Sequence, residues 1–207
     1  MVVALVVSIG WVVSELTSVS SHFLGSIASP QLRSGVSMAS ESTMQPTVLV
    51  VDFGAQYAQL IARRVREAQV YSEIVPHRIT AQEVRQRKPI GIILSGGPAS
   101  VHVEGAPLLD PEIYELGIPI LGICYGCQLI AQQLGGEVAR GGRGEYGRTT
   151  LQRIAGSTSQ LHHDSIPAQL NVWMSHFDAV SVLPSGFVAT ASTPDAPMAV
   201  IESPTRK

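Results

Sequence analysis

The sequence predicts an α/β domain built on a doubly wound, mostly parallel sheet with antiparallel strands added towards the C-terminus. Short apolar segments alternate with helix-forming segments between residues 47 and 134, which is typical of parallel βαβ units with helices on both faces of the sheet. After Gly136 only strand-like segments follow. At 207 residues, the chain is long enough for one such domain with a substantial core.

Four parallel strands and their helices are predicted in the first part of this region. The strands are expected at residues 47–51, 70–75, 90–94 and 118–123. The helices are expected at residues 56–68, 81–87, 110–116 and 126–134. In the first helix, Tyr57, Leu60, Ile61 and Val65 share one face, as in an amphipathic helix. Pro89 ends the second helix before the next strand begins.

The later strands have no helices between them. They are expected at residues 137–139, 149–154, 172–174, 179–183, 187–192 and 198–201. Strands joined by short connections pair in an antiparallel manner, so we expect an antiparallel or mixed extension of the sheet.

The N-terminal region differs in composition from the rest. Residues 1–43 are rich in Val and Ser and carry no Lys or Arg before Arg33. The apolar run at 1–13 is too short to span a bilayer and lacks the basic segment that opens a signal peptide. We therefore predict an extension over residues 1–45, disordered or arising from a misassigned start, and a folded domain over 46–207. A cleaved leader and a membrane anchor are the alternatives.

Composition excludes several functional classes. The net charge is −2 and no basic stripe is present, which argues against nucleic-acid binding. The two cysteines, Cys124 and Cys127, form no disulfide framework, which fits a reducing cytoplasm. No four ligands with suitable spacing occur, so no metal site is predicted.

The segment around Cys124 carries most of the chemical information. Gly122 and Gly126 flank the cysteine at both second neighbours, an apolar strand precedes it, and a helix-forming segment follows at once. A strand that turns sharply into a helix leaves no room for side chains at these two positions, so the pattern predicts a nucleophile elbow with a thiol. We expect the helix N-terminus to lower the thiol pKa and to give a thiolate at neutral pH.

Three loops are expected at the carboxyl edge of the sheet, where such folds bind ligands. They cover residues 52–56, 95–100 and 124–128. The second loop is rich in glycine, and together with the Tyr125 amide it could form an oxyanion hole. A tight turn that simply requires glycine is the alternative.

Cys127 allows a second interpretation of the same segment. Cys124 and Cys127 form a C-x-x-C pair, which occurs in redox centres. The first cysteine follows a late strand and has glycines at both second neighbours, so we interpret Cys127 as a small core residue of the helix.

Taken together, the motifs resemble the class I (triad-type) glutamine amidotransferases. The matching motifs are Gly-Ile-Cys-Tyr-Gly-x-Gln at 122–128, Leu-Ser-Gly-Gly-Pro-x-Ser at 94–100 and Trp-Met-Ser-His-x-Asp at 173–178. Residues between 51 and 67 are similar to the amidotransferase domain of GMP synthases in particular. The resemblance covers residues 47–207 and implies a flavodoxin-like, doubly wound fold.

The resemblance also implies a role for individual residues. Cys124 would attack the side-chain amide of glutamine, form a glutamyl thioester and release ammonia. Gly97 and Tyr125 would supply oxyanion N–H groups. The residues implied to hold the glutamine are Gln128, Ser175, His176 and Phe177.

Cofactors and partners are likewise implied by the family alone. The amidotransferase domain carries no cofactor, and its ammonia travels to a synthetase domain of the ATP-pyrophosphatase type. There ATP and Mg²⁺ activate xanthosine monophosphate, and ammonia completes GMP. No segment of this sequence resembles that domain. The full-length proteins are expected to be cytoplasmic homodimers.

Two departures from the family pattern stand out. Phe177 occupies a position where the family has glycine, so the glutamine clamp is expected to be reshaped, with strain if φ is positive there. The family's base is a histidine in a His-Pro-Glu motif after a final strand, which would follow Lys207. We therefore expect a truncated domain with impaired activity. A non-catalytic protein that binds a synthetase partner and a cysteine hydrolase with another substrate are the alternatives.

The remaining polar clusters receive lesser roles. His162, His163 and Asp164 resemble a fragment of a metal site, but their polar surroundings predict an exposed loop. Glu145 lies in a Glu-Tyr-Gly segment that recurs in the family beside the active-site wall, which implies a supporting role. His176 is not expected to be the base.

Overall fold

The computed structural model describes residues 2–5, 45–97, 100–159 and 167–206. The strands are β1 Val2–Leu5, β2 Thr47–Asp52, β3 Tyr71–Pro76, β4 Gly91–Leu94, β5 Ile120–Ile123, β6 Glu137–Arg153, β7 Gln169–Val182, β8 Val188–Ser192 and β9 Val200–Ser203. The α-helices are α1 Ala58–Glu67, α2 Ala81–Arg87 and α3 Tyr125–Gln133, and Pro111–Glu115 forms a 3₁₀ helix. Within these residues, no helix has the length and apolar character needed to cross a membrane.

The described strands form one mixed sheet in the order β3-β2-β4-β5-β1-β9-β8-β6-β7. Strands β3, β2, β4 and β5 pair in parallel, which confirms the predicted parallel half. The chain moves outward from β2 to β3 and then returns across β2 to β4, so the sheet is doubly wound. The carboxyl ends of these strands therefore meet at one edge, where the predicted site lies.

Both faces of the parallel half are buried, as the alternation along β2 shows. Val48 and Val50 belong to the apolar layer that contains Ile61 of α1. Leu49 and Val51 belong to the opposite layer, which contains residues of α2 and α3. A strand buried on both sides is typical of a parallel sheet between helices, and it explains the continuous apolar run in the sequence.

The antiparallel half has fewer and longer strands than the sequence predicted. The predicted strands 137–139 and 149–154 are joined in β6, which ends at Arg153, and the predicted strands 172–174 and 179–183 are joined in β7, which ends at Val182. The pairing of β6 with β7 shifts register between Arg140 and Glu145. The predicted breaks in β6 and β7 were wrong. In β6, glycines interrupt the alternation that identifies a strand.

Strand β1 occupies an interior position that the sequence did not predict. It pairs in parallel with β5 and antiparallel with β9, so that Leu5 lies opposite both Ile123 and Val200. We predicted an extension over residues 1–45, and within it residues 2–5 instead belong to the sheet. Most of the remaining extension lies outside the described residues, and the domain boundary at 46 stays a prediction.

The pairing of β1 predicts that Val3→Pro destabilises the chain. Proline removes a backbone donor from an interior strand, which leaves a partner group unpaired. The expected loss is about 2 kcal/mol, which corresponds to a fall in Tm of roughly 4–8 °C. Thermal unfolding followed by circular dichroism measures this, with Val3→Ile as the control that keeps the N–H. Equal Tm values for the two variants would show that β1 pairing contributes nothing.

Candidate active site

The predicted elbow is present at the junction of β5 and α3. Cys124 has φ 53° and ψ −108°, in a region that non-glycine residues rarely adopt. A Cβ at position 122 would lie 2.6 Å from Cδ1 of Ile130, and a Cβ at 126 would lie 2.5 Å from the carbonyl oxygen of Leu94. These contacts confirm the steric reason for both glycines.

The electrostatics of Cys124 differ from the sequence prediction. Burial raises the pKa of its thiol above the usual value, the Tyr125 N–H bonded to the sulfur opposes this rise, and the nearby Asp178 carboxylate adds to it. The expectation of a thiolate at neutral pH was therefore wrong. The desolvation of the thiolate by its apolar surroundings outweighs the favourable interaction with the helix N-terminus.

A cavity of about 570 Å³ opens beside Cys124. It is lined by all seven residues that the sequence singled out: Gly97, Cys124, Tyr125, Gln128, Ser175, His176 and Phe177. Four further lining residues were not predicted as site residues: Ser100, Arg140, Tyr146 and Asp178. Ser100 and Asp178 lie within the quoted motifs, so a motif-based search could have found them. Tyr146 lies in the Glu-Tyr-Gly segment, which also offered a signal. Arg140 carries none, because only the pairing of β6 with β7 brings it to the cavity.

Tyr125 fixes the floor of the predicted oxyanion region. Its hydroxyl donates to the Pro107 carbonyl at 2.6 Å, and burial raises its pKa to about 12. Its ring packs against Phe53 at a centroid distance of 5.3 Å. A Cβ at Gly97 would lie 2.8 Å from Cγ of this ring, so glycine is required there. Pro98, in the same loop as Gly97, lies outside the described residues.

One wall of the cavity is formed by strand β7, whose side chains alternate. Ser175 and Phe177 are exposed, whereas His176 and Asp178 are buried. Among the described non-glycine residues, positive φ occurs only at Gln69, Lys88 and Cys124. The strain considered for Phe177 is therefore absent, because its backbone is not left-handed. The effect of this side chain on glutamine binding stays a prediction.

Buried hydrogen bonds join this wall to the rest of the site. Gln128 Nε2 donates to the Asp178 carbonyl at 2.8 Å, and His176 Nδ1 lies 3.0 Å from the same oxygen. Ser100 Oγ donates to the Asp178 carboxylate. His176 Nε2 lies 3.1 Å from Glu145 Oε2. With both ring nitrogens engaged, His176 is not free to accept a proton from the nucleophile.

The first predicted loop lies elsewhere. Asp52, Phe53 and Gly54 line a second cavity of about 510 Å³, together with residues at the end of β3 and just after it, and with Gly105 and Pro107. Phe53 separates this space from the nucleophile, because its ring packs on Tyr125. The expectation that loop 52–56 contributes to the same crevice as Cys124 was wrong.

The alternatives for Cys127 and for metal binding can be compared with the structure. Cys127 is fully buried in the apolar layer of α3, which confirms its assignment as a core residue, and burial raises its pKa far above the usual value. Within the described ranges, no cluster of three or more potential metal ligands occurs. The segment His162 to Asp164 lies outside those ranges.

Comparison with solved structures supports the fold. A putative GMP synthase subunit from Thermoplasma acidophilum aligns with a TM-score of 0.68 and 29% identity, over 78% of this chain and 80% of that one. A glutamine amidotransferase from Methylobacillus flagellatus aligns with a TM-score of 0.55 and 19% identity, over 74% of this chain and 64% of that one. The second likeness concerns the fold alone.

Sequence relatives agree with this result. GMP synthase [glutamine-hydrolyzing] of Thermobifida fusca is 59% identical over 167 residues, which are 81% of this chain and 31% of the relative. The enzyme of the same name from Nocardia farcinica is 56% identical over 79% of this chain and 30% of its own length. The chain thus spans about a third of the curated relatives it matches. The family model for glutamine amidotransferase class-I matches residues 49–206, and the chain belongs to this family.

Proposed function

We propose that this domain binds glutamine in the cavity beside Cys124 and hydrolyses its side-chain amide to glutamate and ammonia. The observation that carries the proposal is the elbow, which holds the Cys124 sulfur at the cavity in a strained backbone conformation. The names of the relatives, which describe glutamine-hydrolysing enzymes, support the choice of substrate.

The proposed reaction proceeds through a thioester. The Cys124 thiolate attacks the amide carbon, and the carbonyl oxygen becomes an oxyanion that the N–H groups of Gly97 and Tyr125 stabilise. The C–N bond then breaks, and the nitrogen takes up a proton and leaves as ammonia. Water attacks the resulting thioester, which releases glutamate and returns the thiol.

The cavity also offers charges that suit an amino acid. Asp178 presents a buried carboxylate and Arg140 is an exposed residue with a guanidinium group, and both line the cavity. The first complements an α-ammonium group and the second an α-carboxylate. Ser175 and Gln128 add neutral polar groups. Glutamine carries both charges and an amide, so its functional groups fit this lining.

The ammonia would be used by a synthetase part of the GMP synthase type. The relatives bear that name and are about three times as long as the matched region. In this proposal the partner is an ATP-pyrophosphatase domain that uses ATP and Mg²⁺ to convert xanthosine monophosphate to GMP. The complete protein would work as a homodimer in the cytoplasm, and the amidotransferase domain would need no cofactor of its own.

Proton removal from Cys124 is the slow step in this proposal. In the described part of the chain, no histidine ring is hydrogen-bonded to the Cys124 sulfur, and His176 is occupied at both nitrogens. Burial also raises the pKa of the thiol. The same observations would suit a non-catalytic protein that binds a synthetase, but the relatives are named as enzymes, which favours catalysis.

A reactive glutamine analogue should label Cys124 and spare Cys127. A diazoketone in place of the amide alkylates the sulfur with loss of nitrogen, and of the two cysteines only Cys124 faces the cavity. Intact-mass and peptide analysis should show one adduct. This adduct should be absent from the Cys124→Ser variant and present in the Cys127→Ser variant. Excess glutamine should prevent its formation. Labelling that glutamine does not slow would contradict the proposed substrate.

Glutamine hydrolysis by this chain should be slow. Because no histidine of the described residues is hydrogen-bonded to the Cys124 sulfur, the rate is expected to fall about 10²–10⁴-fold below that of the Thermobifida fusca enzyme. Glutamate release measured with a coupled dehydrogenase tests this, and Cys124→Ser should remove what remains. A rate within tenfold of the relative would show that a base acts in this chain.

The raised pKa of Cys124 predicts the pH dependence of its reaction with iodoacetamide. Only the thiolate reacts, so below the pKa its rate should increase about tenfold per pH unit. Burial raises the pKa of this thiol above the ordinary value of 9.0, so no plateau is reached between pH 7 and 9. The measurement uses the Cys127→Ser chain, with N-acetylcysteine as the reference thiol. A plateau near pH 7 would restore the sequence-based expectation of a thiolate.

A further inference from the structure

Glu145 lies at the centre of a buried polar cluster that joins the cavity wall to the loop between β8 and β9. Its side chain is only 5% exposed. His176 Nε2 lies 3.1 Å from Glu145 Oε2, and Thr193 Oγ1 donates to the same oxygen at 2.7 Å. The Asp195 N–H donates to Oε1 at 3.4 Å. A buried carboxylate with three such partners is held in one orientation.

The contacts of His176 show how this cluster reaches the cavity. Nδ1 faces the carbonyl oxygen of Asp178, which can only accept, so Nδ1 carries a hydrogen. Nε2 lies 3.1 Å from Oε2 of Glu145, so the His176 ring bridges this carboxyl group and the Asp178 backbone. The Asp178 carbonyl accepts a second bond from Gln128. The cluster thus connects Glu145 to both the β7 wall of the cavity and helix α3, which carries Gln128.

The pairing of β7 with β6 is irregular where β7 lines the cavity. The register of β6 against β7 shifts between Arg140 and Glu145, and Phe177 lies opposite this interval. An irregular stretch of this kind leaves residues without ladder partners and bends the strand. Glu145 and His176 are partners where regular pairing resumes, and the contact between their side chains adds a second constraint at the end of that stretch.

We propose that Glu145 is a positioning residue for the glutamine cavity: through His176 it holds the backbone of residues 175–178 in the geometry that binds substrate. This inference rests on the proposed glutamine hydrolysis. Glu145 does not line the cavity, so it acts on substrate affinity and leaves the intrinsic reactivity of the Cys124 sulfur unchanged.

The test measures two alkylation reactions in the full chain. For the diazoketone glutamine analogue, the half-saturating concentration reports cavity geometry and the limiting rate reports the reaction step. For iodoacetamide, the second-order rate constant reports the thiol alone. Glu145→Ala should raise the half-saturating concentration roughly tenfold to a hundredfold, as expected for loss of a charge-assisted hydrogen bond. The limiting rate and the iodoacetamide rate should change less than about threefold.

Glu202 provides a matched control for the burial of a carboxylate. It is 4% exposed, accepts a bond from Thr190 Oγ1 at 3.0 Å and does not line the cavity. Glu202→Ala should lower Tm but leave the half-saturating concentration unchanged. Glu145→Gln keeps an acceptor for His176, so its affinity for the analogue should be close to that of the unmodified chain. Equal half-saturating concentrations for Glu145→Ala and Glu202→Ala would overturn the inference.

Other outcomes separate this inference from the proposed function. If the unmodified chain shows no saturable reaction with the analogue, the proposed glutamine site itself is wrong. If Glu145→Ala does not fold, Thr193→Val takes its place, because it leaves Glu145 intact and removes the hydroxyl that donates to Glu145 and accepts from the Ala196 N–H. It should raise the half-saturating concentration about threefold or more, and no change would overturn the inference.

Discussion

The close approach of helix α3 to the end of strand β4 is the constraint on which the site depends. A Cβ at Gly126 would lie 2.5 Å from the Leu94 carbonyl oxygen, and the Gly126 N–H donates to the Ser95 carbonyl at 3.2 Å. This contact forces a turn so sharp that Cys124 takes φ 53°. Such strain costs about 1–3 kcal/mol. The burial of the apolar side chains of α3, among them Leu129 and Ile130, offsets it.

The opposite wall of the cavity is fixed by a different kind of interaction. Strand β7 forms this wall, and the register of its partner strand is irregular there. Buried polar groups hold it, at a desolvation cost that only a fully bonded cluster can offset. Glu145 meets this condition with three partners, and the Asp178 carbonyl meets it with two. Steric packing therefore fixes the nucleophile on one side of the cavity, and hydrogen bonds fix the β7 wall on the other.

The sequence predicted the features that depend on local rules. Helix α2 has the predicted bounds because Thr80 and Glu83 form a capping box within one turn. The elbow was predicted because its glycines are near in sequence. The interior position of β1 and the continuity of β6 and β7 depend on pairing between distant segments, which local patterns do not encode. Arg140 was missed for the same reason, since tertiary pairing alone brings it to the cavity.

The pKa of Cys124 shows why the chemistry was harder to predict than the position of the nucleophile. A helix N-terminus favours a thiolate by about 0.3–1 kcal/mol near the surface. Desolvation acts in the opposite direction and increases as apolar neighbours surround the sulfur, and the Asp178 carboxylate adds repulsion. Desolvation and the repulsion by Asp178 both depend on the tertiary structure. The tight packing that aims the sulfur therefore also raises its pKa, so positioning and activation of this nucleophile are separate tasks that require separate groups.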